Sequence, residues 1–283
     1  MITVTKEHHE MKRQLSYLLA AVGALWLLSI PVAAQTAKTP KLADGHPDLN
    51  GVWTGLARGP FVKTDDPLGQ YLASRDASLL NFERDGALIR RSNPNKPIYR
   101  PEFWEKVQRL DQEENNEDPS YGCMPGGVPR IGPPMKIVQT TTEMVFLYVT
   151  PPAQGWGDAY RVIPTDGRAH TPLQELDGTW NGESIGHWEG DTLVVDTIGF
   201  NDISWLDIGG YFHSENLHVI ERLRREGDTM TWQATVEDPD VLLKPWVMNP
   251  RVLGVNRDPK AGLQESLPCV ERDLTHLVNK EHH

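Results

Sequence analysis

The chain has 283 residues, of which 39 % are hydrophobic and 24 % charged, with a formal net charge of −11. Such an acidic chain without a basic run is a poor partner for nucleic acid or anionic lipid, and no nucleic acid partner is expected. Its length suits one well-cored domain with an extra arm.

Residues 11–35 (MKRQLSYLLAAVGALWLLSIPVAAQ) join a basic start at Lys12 and Arg13 to an apolar run from Leu18 to Leu28 and then to small residues. That is the form of a secretory signal peptide. Residues 1–34 are read as signal, with 1–10 as an upstream extension and cleavage near Ala34. The apolar run is shorter than the roughly 20 residues of a membrane span, and no cysteine follows it for lipid attachment. The expected product is periplasmic or secreted, without stable membrane insertion. In an oxidising compartment Cys123 and Cys269 are expected to pair as one disulfide.

Residues 35–120 are predicted to form an irregular, partly helical arm. Gly, Pro and Asp dominate 38–60, anchored by Trp53. Helical spacing follows over Leu68–Leu88 and again over PEFWEKVQRLDQEE, where Pro101 suits the first helical position and Phe103, Trp104, Val107 and Leu110 form a stripe. Residues 117–135 hold too many Pro and Gly for regular structure and mark a boundary.

From there to 276 the period changes to two, with a tail at 277–283. Strands are predicted at 136–150, 159–164, 183–189, 192–200, 216–225, 229–237, 245–252 and 264–273. Glu189-Gly190-Asp191-Thr192-Leu193 recurs as Glu226-Gly227-Asp228-Thr229-Met230, each copy joining two β-branched runs as a tight hairpin does. The fold class expected is mainly β, an antiparallel meander closed as a lipocalin-like barrel or folded as a β-sandwich.

Alternation then sorts side chains. Asp196 shares a strand face with Val194, Ile198 and Phe200, and a two-residue hairpin loop would add Ile185 and His187 to that face. Glu221 lies with Leu217, Val219 and Leu223, opposite His218, Arg222 and Arg224. Carboxylates on apolar faces are costly unless paired, as with Arg161 or Arg222, and such sites also serve acid–base chemistry. His213 follows the loop NDISWLDIGGYF, and loops carry function more often than strands. His213, Glu221 and Asp196 are therefore the candidate catalytic groups. Trp205, Asp207, Trp180, Trp232 and His218 are the candidate substrate contacts, in a pocket suited to a small apolar or cyclic molecule.

No cofactor is expected. Zinc would suit His213, His218 and Glu221, with His187 or His170, but strand alternation points His218 and Glu221 to opposite faces. No GxSxG elbow, phosphate loop or dinucleotide fingerprint occurs. The expected function is a small-molecule lyase, isomerase or hydrolase, with a lipocalin-type binding protein as the alternative.

Several long motifs occur in order: Cys123-x-Pro125-Gly126-Gly127-Val128-Pro129-Arg130, IVQT at 137–140, Trp180 with SIGHWEGDTLVVDTIGFND at 184–202, HSENLHVIERL at 213–223, and EDPDVLLKPW at 237–246. Together they resemble a family of exported bacterial proteins with no assigned activity, over roughly residues 40–275. The resemblance groups Asp196, Trp205, Asp207, His213, Ser214, His218 and Glu221, and implies no role for them. The position of His187 is commonly Arg in that family, which argues against a catalytic part for it.

Overall fold

A computed structural model describes residues 38–55, 95–149 and 159–263. The expected signal peptide, the helix over 68–88, the strand over 264–273, Cys269 and the tail lie outside them. The described chain is a mainly antiparallel β structure with little helix, its sheet bent into a nearly closed barrel. No helix among the described residues is long and apolar enough to cross a membrane.

Ten strands make the sheet: β1 (Gly51–Gly55), β2 (Lys136–Gln139), β3 (Glu143–Tyr148), β4 (Ala159–Pro164), β5 (Glu183–Glu189), β6 (Thr192–Ile198), β7 (His218–Glu226), β8 (Thr229–Glu237), β9 (Trp246–Val247) and β10 (Arg251–Val255). Their order is β4-β3-β2-β1-β10-β8-β7-β6-β5, with β9 also on β8. The two repeated turns are two-residue loops, Glu189 facing Thr192 and Glu226 facing Thr229. Gly190 and Gly227 hold φ of +60° and +59° at the first turn position. Only glycine takes that conformation cheaply, and the turn's twist matches that of the strands it joins.

Three expected elements change. The strand predicted over 136–150 is a hairpin, because the Thr140 hydroxyl accepts from the backbone of Thr142 and Glu143 and turns the chain between β2 and β3. The strand predicted over 245–252 is broken at Met248–Pro250, where Pro250 has no N–H to give to β8, and the chain resumes pairing as β10. The third change concerns the arm. Its residues Gly51–Gly55 are a sheet strand between β2 and β10, with Trp53 opposite Val255 and Gly51 opposite Ile137, so this part of the predicted arm is built into the sheet. Trp53 is fully buried, and the Arg225 guanidinium packs over its ring while donating to the Asp48 carbonyl.

Helix α1 (Trp104–Gln112) follows a 3-10 turn at Pro101–Phe103. Its inward stripe is Phe103, Val107 and Leu110, one turn apart along one side. Trp104 leaves the stripe and is exposed, its indole N–H donating to the Tyr99 carbonyl. The helix sits on Gly210, where any Cβ would come within 2.7 Å of the backbone at Val107 and Asp111.

Alternation fills the barrel. Leu193, Val195, Val219, Leu223, Met230, Trp232, Ala234 and Val236 point inward and are fully buried, with Trp53, Phe146 and Met144 opposite them. The sheet's two edges, β4 and β5, come side by side, but no backbone ladder joins them among the described residues. Gly186 on β5 makes this closeness possible, because a Cβ there would lie 2.9 Å from Thr165 and 3.1 Å from Ile163.

Candidate functional site

The side chains singled out in the sequence separate into three places. Inside the barrel, Arg161 on β4 reaches across the seam. Its Nη1 donates to Glu221 Oε2 (2.6 Å) and to the Tyr148 hydroxyl (3.1 Å), and its Nη2 to Ser184 Oγ (2.8 Å) and Thr197 Oγ1 (3.0 Å). Trp232 Nε1 donates to the other Glu221 oxygen at 2.9 Å. Glu221 is therefore on the apolar inner face, as alternation predicts, and is paired with Arg161. Burial works against the Arg161 charge, but the facing Glu221 carboxylate more than offsets this and holds its pKa above the usual arginine range. Burial likewise pushes the Tyr148 hydroxyl well up. Glu221 has a fixed cation and a fixed indole on its two oxygens, which is the arrangement of a structural ion pair.

On the outer face, β5 to β8 carry a second cluster. His170, from the loop after β4, has Nδ1 2.9 Å from Glu183 Oε2 and Nε2 3.0 Å from Asp196 Oδ1. His218 has Nε2 2.9 Å from Asp196 Oδ2 and Nδ1 3.2 Å from Glu237 Oε2. Asp196 shares its face with Ile185 and His187, as the two-residue loop predicts. Burial raises its pKa, but the hydrogen bond and charge of His218, with His170, outweigh that and leave it lowered. The Asp196 hydrogen bond in turn raises His218. His218 is therefore held between two carboxylates.

The third place is the loop between β6 and β7. His213 Nδ1 lies 2.9 Å from the Ser214 carbonyl, which can only accept, so Nδ1 carries the proton. In the neutral ring Nε2 is then an acceptor, and Ser204 Oγ lies 2.8 Å from it. Burial lowers the His213 pKa and favours that neutral form. The loop is clamped from several sides. Tyr99 donates to the Phe212 carbonyl, Asp238 accepts from the backbone and hydroxyl of Ser214, and the Phe200 ring stands edge-on to His213 at 6.1 Å. Gly127, at φ +71°, packs directly on Ser204: a Cβ there would meet Ser204 Oγ at 2.7 Å and the Trp180 carbonyl at 2.9 Å. The segment bearing Gly127 is itself anchored by a buried two-pronged pair from Arg130 to Asp118.

The expected catalytic trio does not assemble, because one strand pair divides it. Val195 faces Glu221 across β6 and β7, so Asp196, one residue on, points to the opposite side of the sheet. His213 bonds to neither carboxylate. Of the expected substrate contacts, Trp180 and Trp205 lie by the Ser204–His213 loop, Trp232 is core, and His218 belongs to the outer cluster. Asp207 folds back on its own loop, accepting from the Ile208 amide. Among the described residues no group of His, Cys, Asp or Glu is arranged to hold a metal. Sequence reasoning missed Ser204, for which the only local sign is its place in a loop beside the His213 segment. It also missed Tyr148, Ser184 and Thr197, which alternation puts inside the barrel but cannot bring to Arg161.

No protein-family model, curated protein or solved structure matches the chain.

Proposed function

We propose that the protein is an exported enzyme acting on a small apolar molecule, with Ser204 as nucleophile and His213 as its base, which makes it a hydrolase rather than a lyase or isomerase. The observation that carries the reading is the 2.8 Å contact from Ser204 Oγ to His213 Nε2 in a ring whose other nitrogen is tied to a backbone carbonyl. That is a nucleophile with a base in the tautomer able to take its proton, and with the base oriented by a third group. Acting on an ester, Oγ bonds to the carbonyl carbon as its proton passes to Nε2. The leaving alcohol departs with that proton, and water then releases the acid by the same route. Ser204 and His213 are each 2 % exposed, so the packing over them, in which Gly127 lies on Ser204, must open for substrate to enter, and the Phe200 ring beside His213 favours an apolar acyl group. Export rests on the signal-like residues 11–35 and carries with it a Cys123–Cys269 disulfide, which non-reducing peptide mapping of the secreted protein detects.

The test is incubation with a fluorophosphonate probe and with short-chain nitrophenyl esters. The expected result is an adduct on Ser204, and a fall of roughly 10²- to 10⁴-fold in ester turnover for Ser204→Ala and for His213→Gln. No adduct on the native protein, together with wild-type turnover by Ser204→Ala, would overturn the reading.

A second reading, a ligand-binding barrel, is favoured by one observation. Arg161 Nε is buried and has no hydrogen-bond partner among the described residues, which suits a ligand acceptor inside the barrel. Native mass spectrometry of the purified protein distinguishes it by a retained small molecule and no product.

A further inference from the structure

The outer cluster is a linear alternation of acid and imidazole running across four strands: Glu183 on β5, His170 from the loop, Asp196 on β6, His218 on β7 and Glu237 on β8. Its chemistry is set by the number of protons it holds. An imidazole with a carboxylate at each ring nitrogen satisfies both only when both nitrogens carry hydrogen, since the neutral ring has a single N–H. Each of the two rings in this row is in that situation. When the rings are neutral, two of the four contacts become a lone pair against an anion, and three carboxylates stand in a row without a cation between them.

His170 is also the chief side-chain anchor of its loop. From Asp166 to Glu175 the loop is largely exposed, and His170 and Thr171 are its partly buried members. Thr171 strengthens the same point, its backbone N–H and hydroxyl both donating to Glu183 at 2.9 and 2.7 Å. Beyond it the chain is held by other means, with Leu176 against Gly199 and Thr179 bridged to Phe200.

We propose that this row is a pH-dependent clasp, which holds the 165–175 loop against the outer face of β5 to β8 when both imidazoles are protonated and releases it when they are not. The inference is independent of any activity at Ser204.

The other charged groups around the row do not substitute for the imidazoles. Arg168, on the same loop, acts on Glu183 and Glu143 only through space and is hydrogen-bonded to Asp166 through three contacts of 2.6 to 3.1 Å. Arg222, the nearest cation on the outer face of β7, is paired with Glu189, which His187 also approaches. No lysine or arginine among the described residues is hydrogen-bonded to Glu183, Asp196 or Glu237. The charges that close the row are therefore those of the two imidazoles.

The sign follows from the shifts. His218 is raised, chiefly by the Asp196 hydrogen bond, so its contribution is complete below the ordinary histidine value of 6.5 and is lost as pH rises through the folded value. Asp196 and Glu183 are lowered, burial opposing and the histidine and threonine contacts prevailing, so their contribution is lost as pH falls below the carboxylate range. Through these three groups the Asp196–His218 end of the row is complete between 4.5, the ordinary glutamate value, and 6.5, the ordinary histidine value.

Amide hydrogen exchange of the full chain at pH 5.5 and 8.5, corrected for intrinsic rates, tests it. Protection over 166–175 is expected to fall by about tenfold or more at the higher pH, the equivalent of one pKa unit of linkage. In His170→Gln, and separately in His218→Gln, protection is expected to be low at both pH values while β5 to β8 stay protected. Equal protection of the wild-type loop at both pH values would overturn the clasp, as would variants that keep the wild-type pH response. Asp196→Asn serves as a second probe with both imidazoles left in place, and its loop should open at pH 5.5.

Discussion

Strands β6 and β7 carry two polar clusters on opposite sides of the same sheet, and adjacent residues serve different ones. Thr197 faces Arg161 inside the barrel and Asp196 faces two histidines outside. Inside, Arg161 and Glu221 are almost sealed from water, so their attraction is strong but so is the cost of having dried them. Outside, the same kinds of charges remain partly wet, their net worth is small, and solution conditions can adjust it. The inner pair thus fixes the shape of the barrel, while the outer row responds to its surroundings.

The largest expected effect tests the inner side. Glu221→Gln keeps the volume but leaves a buried guanidinium without its counter-charge, and should lower the urea unfolding free energy by about 3–5 kcal/mol. Replacing both partners, Arg161→Met with Glu221→Leu, should recover most of that loss. If the double variant is no better than the single one, Arg161 matters through Ser184, Thr197 and Tyr148 rather than through charge. Next comes the seam itself. Gly186→Val places a side chain where Thr165 and Ile163 already pack, with an expected loss of about 1–3 kcal/mol from overpacking.

The smallest effect belongs to the outer side. Asp196→Asn should cost less than about 1 kcal/mol in urea unfolding at pH 5.5, and 1 M salt should reduce the difference further. The difference between variant and wild type should shrink as pH rises through the folded value of His218, because that is where the raised imidazole loses the proton that makes the contact. A difference that grows with pH would place the stabilising charge elsewhere. No such salt dependence is expected for Glu221→Gln, whose partner Arg161 is sealed from water with it.

Much of this fold was legible in the sequence because strands with one buried face advertise it every second residue. Met230, Trp232, Ala234 and Val236 form one inner row, and the two Glu-Gly-Asp turns set the register that puts Asp196 beside His187's face. Parity also put Glu221 inward. It did not say that Asp196 and Glu221 would part company, because that depends on which residue of β6 stands opposite which residue of β7, and the long loop between those strands leaves that register open. Ser204 escaped for a related reason. A loop has no period, and the contact between Ser204 and His213 is made by the folding of residues 199–217 under α1 and the Gly127 segment. Pro250 lies inside the strand predicted over 245–252, because period-two patterning runs across it while the missing N–H interrupts the pairing.

The position of β1 has a consequence for how the molecule could be divided. With β10 it makes the ladder that joins the two halves of the sheet, β1 continuing into β2 on one side and β10 into β8 on the other. A chain cut within the exposed 165–175 loop would yield one fragment carrying β1 to β4 and another carrying β5 to β10. Their contact surface would include the β1–β10 ladder, Arg161 reaching to Glu221, and α1, Tyr99 and Gly127 packed on the loop that carries Ser204 and His213. Such halves should reassemble on mixing, as a split reporter does, and the loss of affinity on Glu221→Gln would read the share of that association carried across the seam.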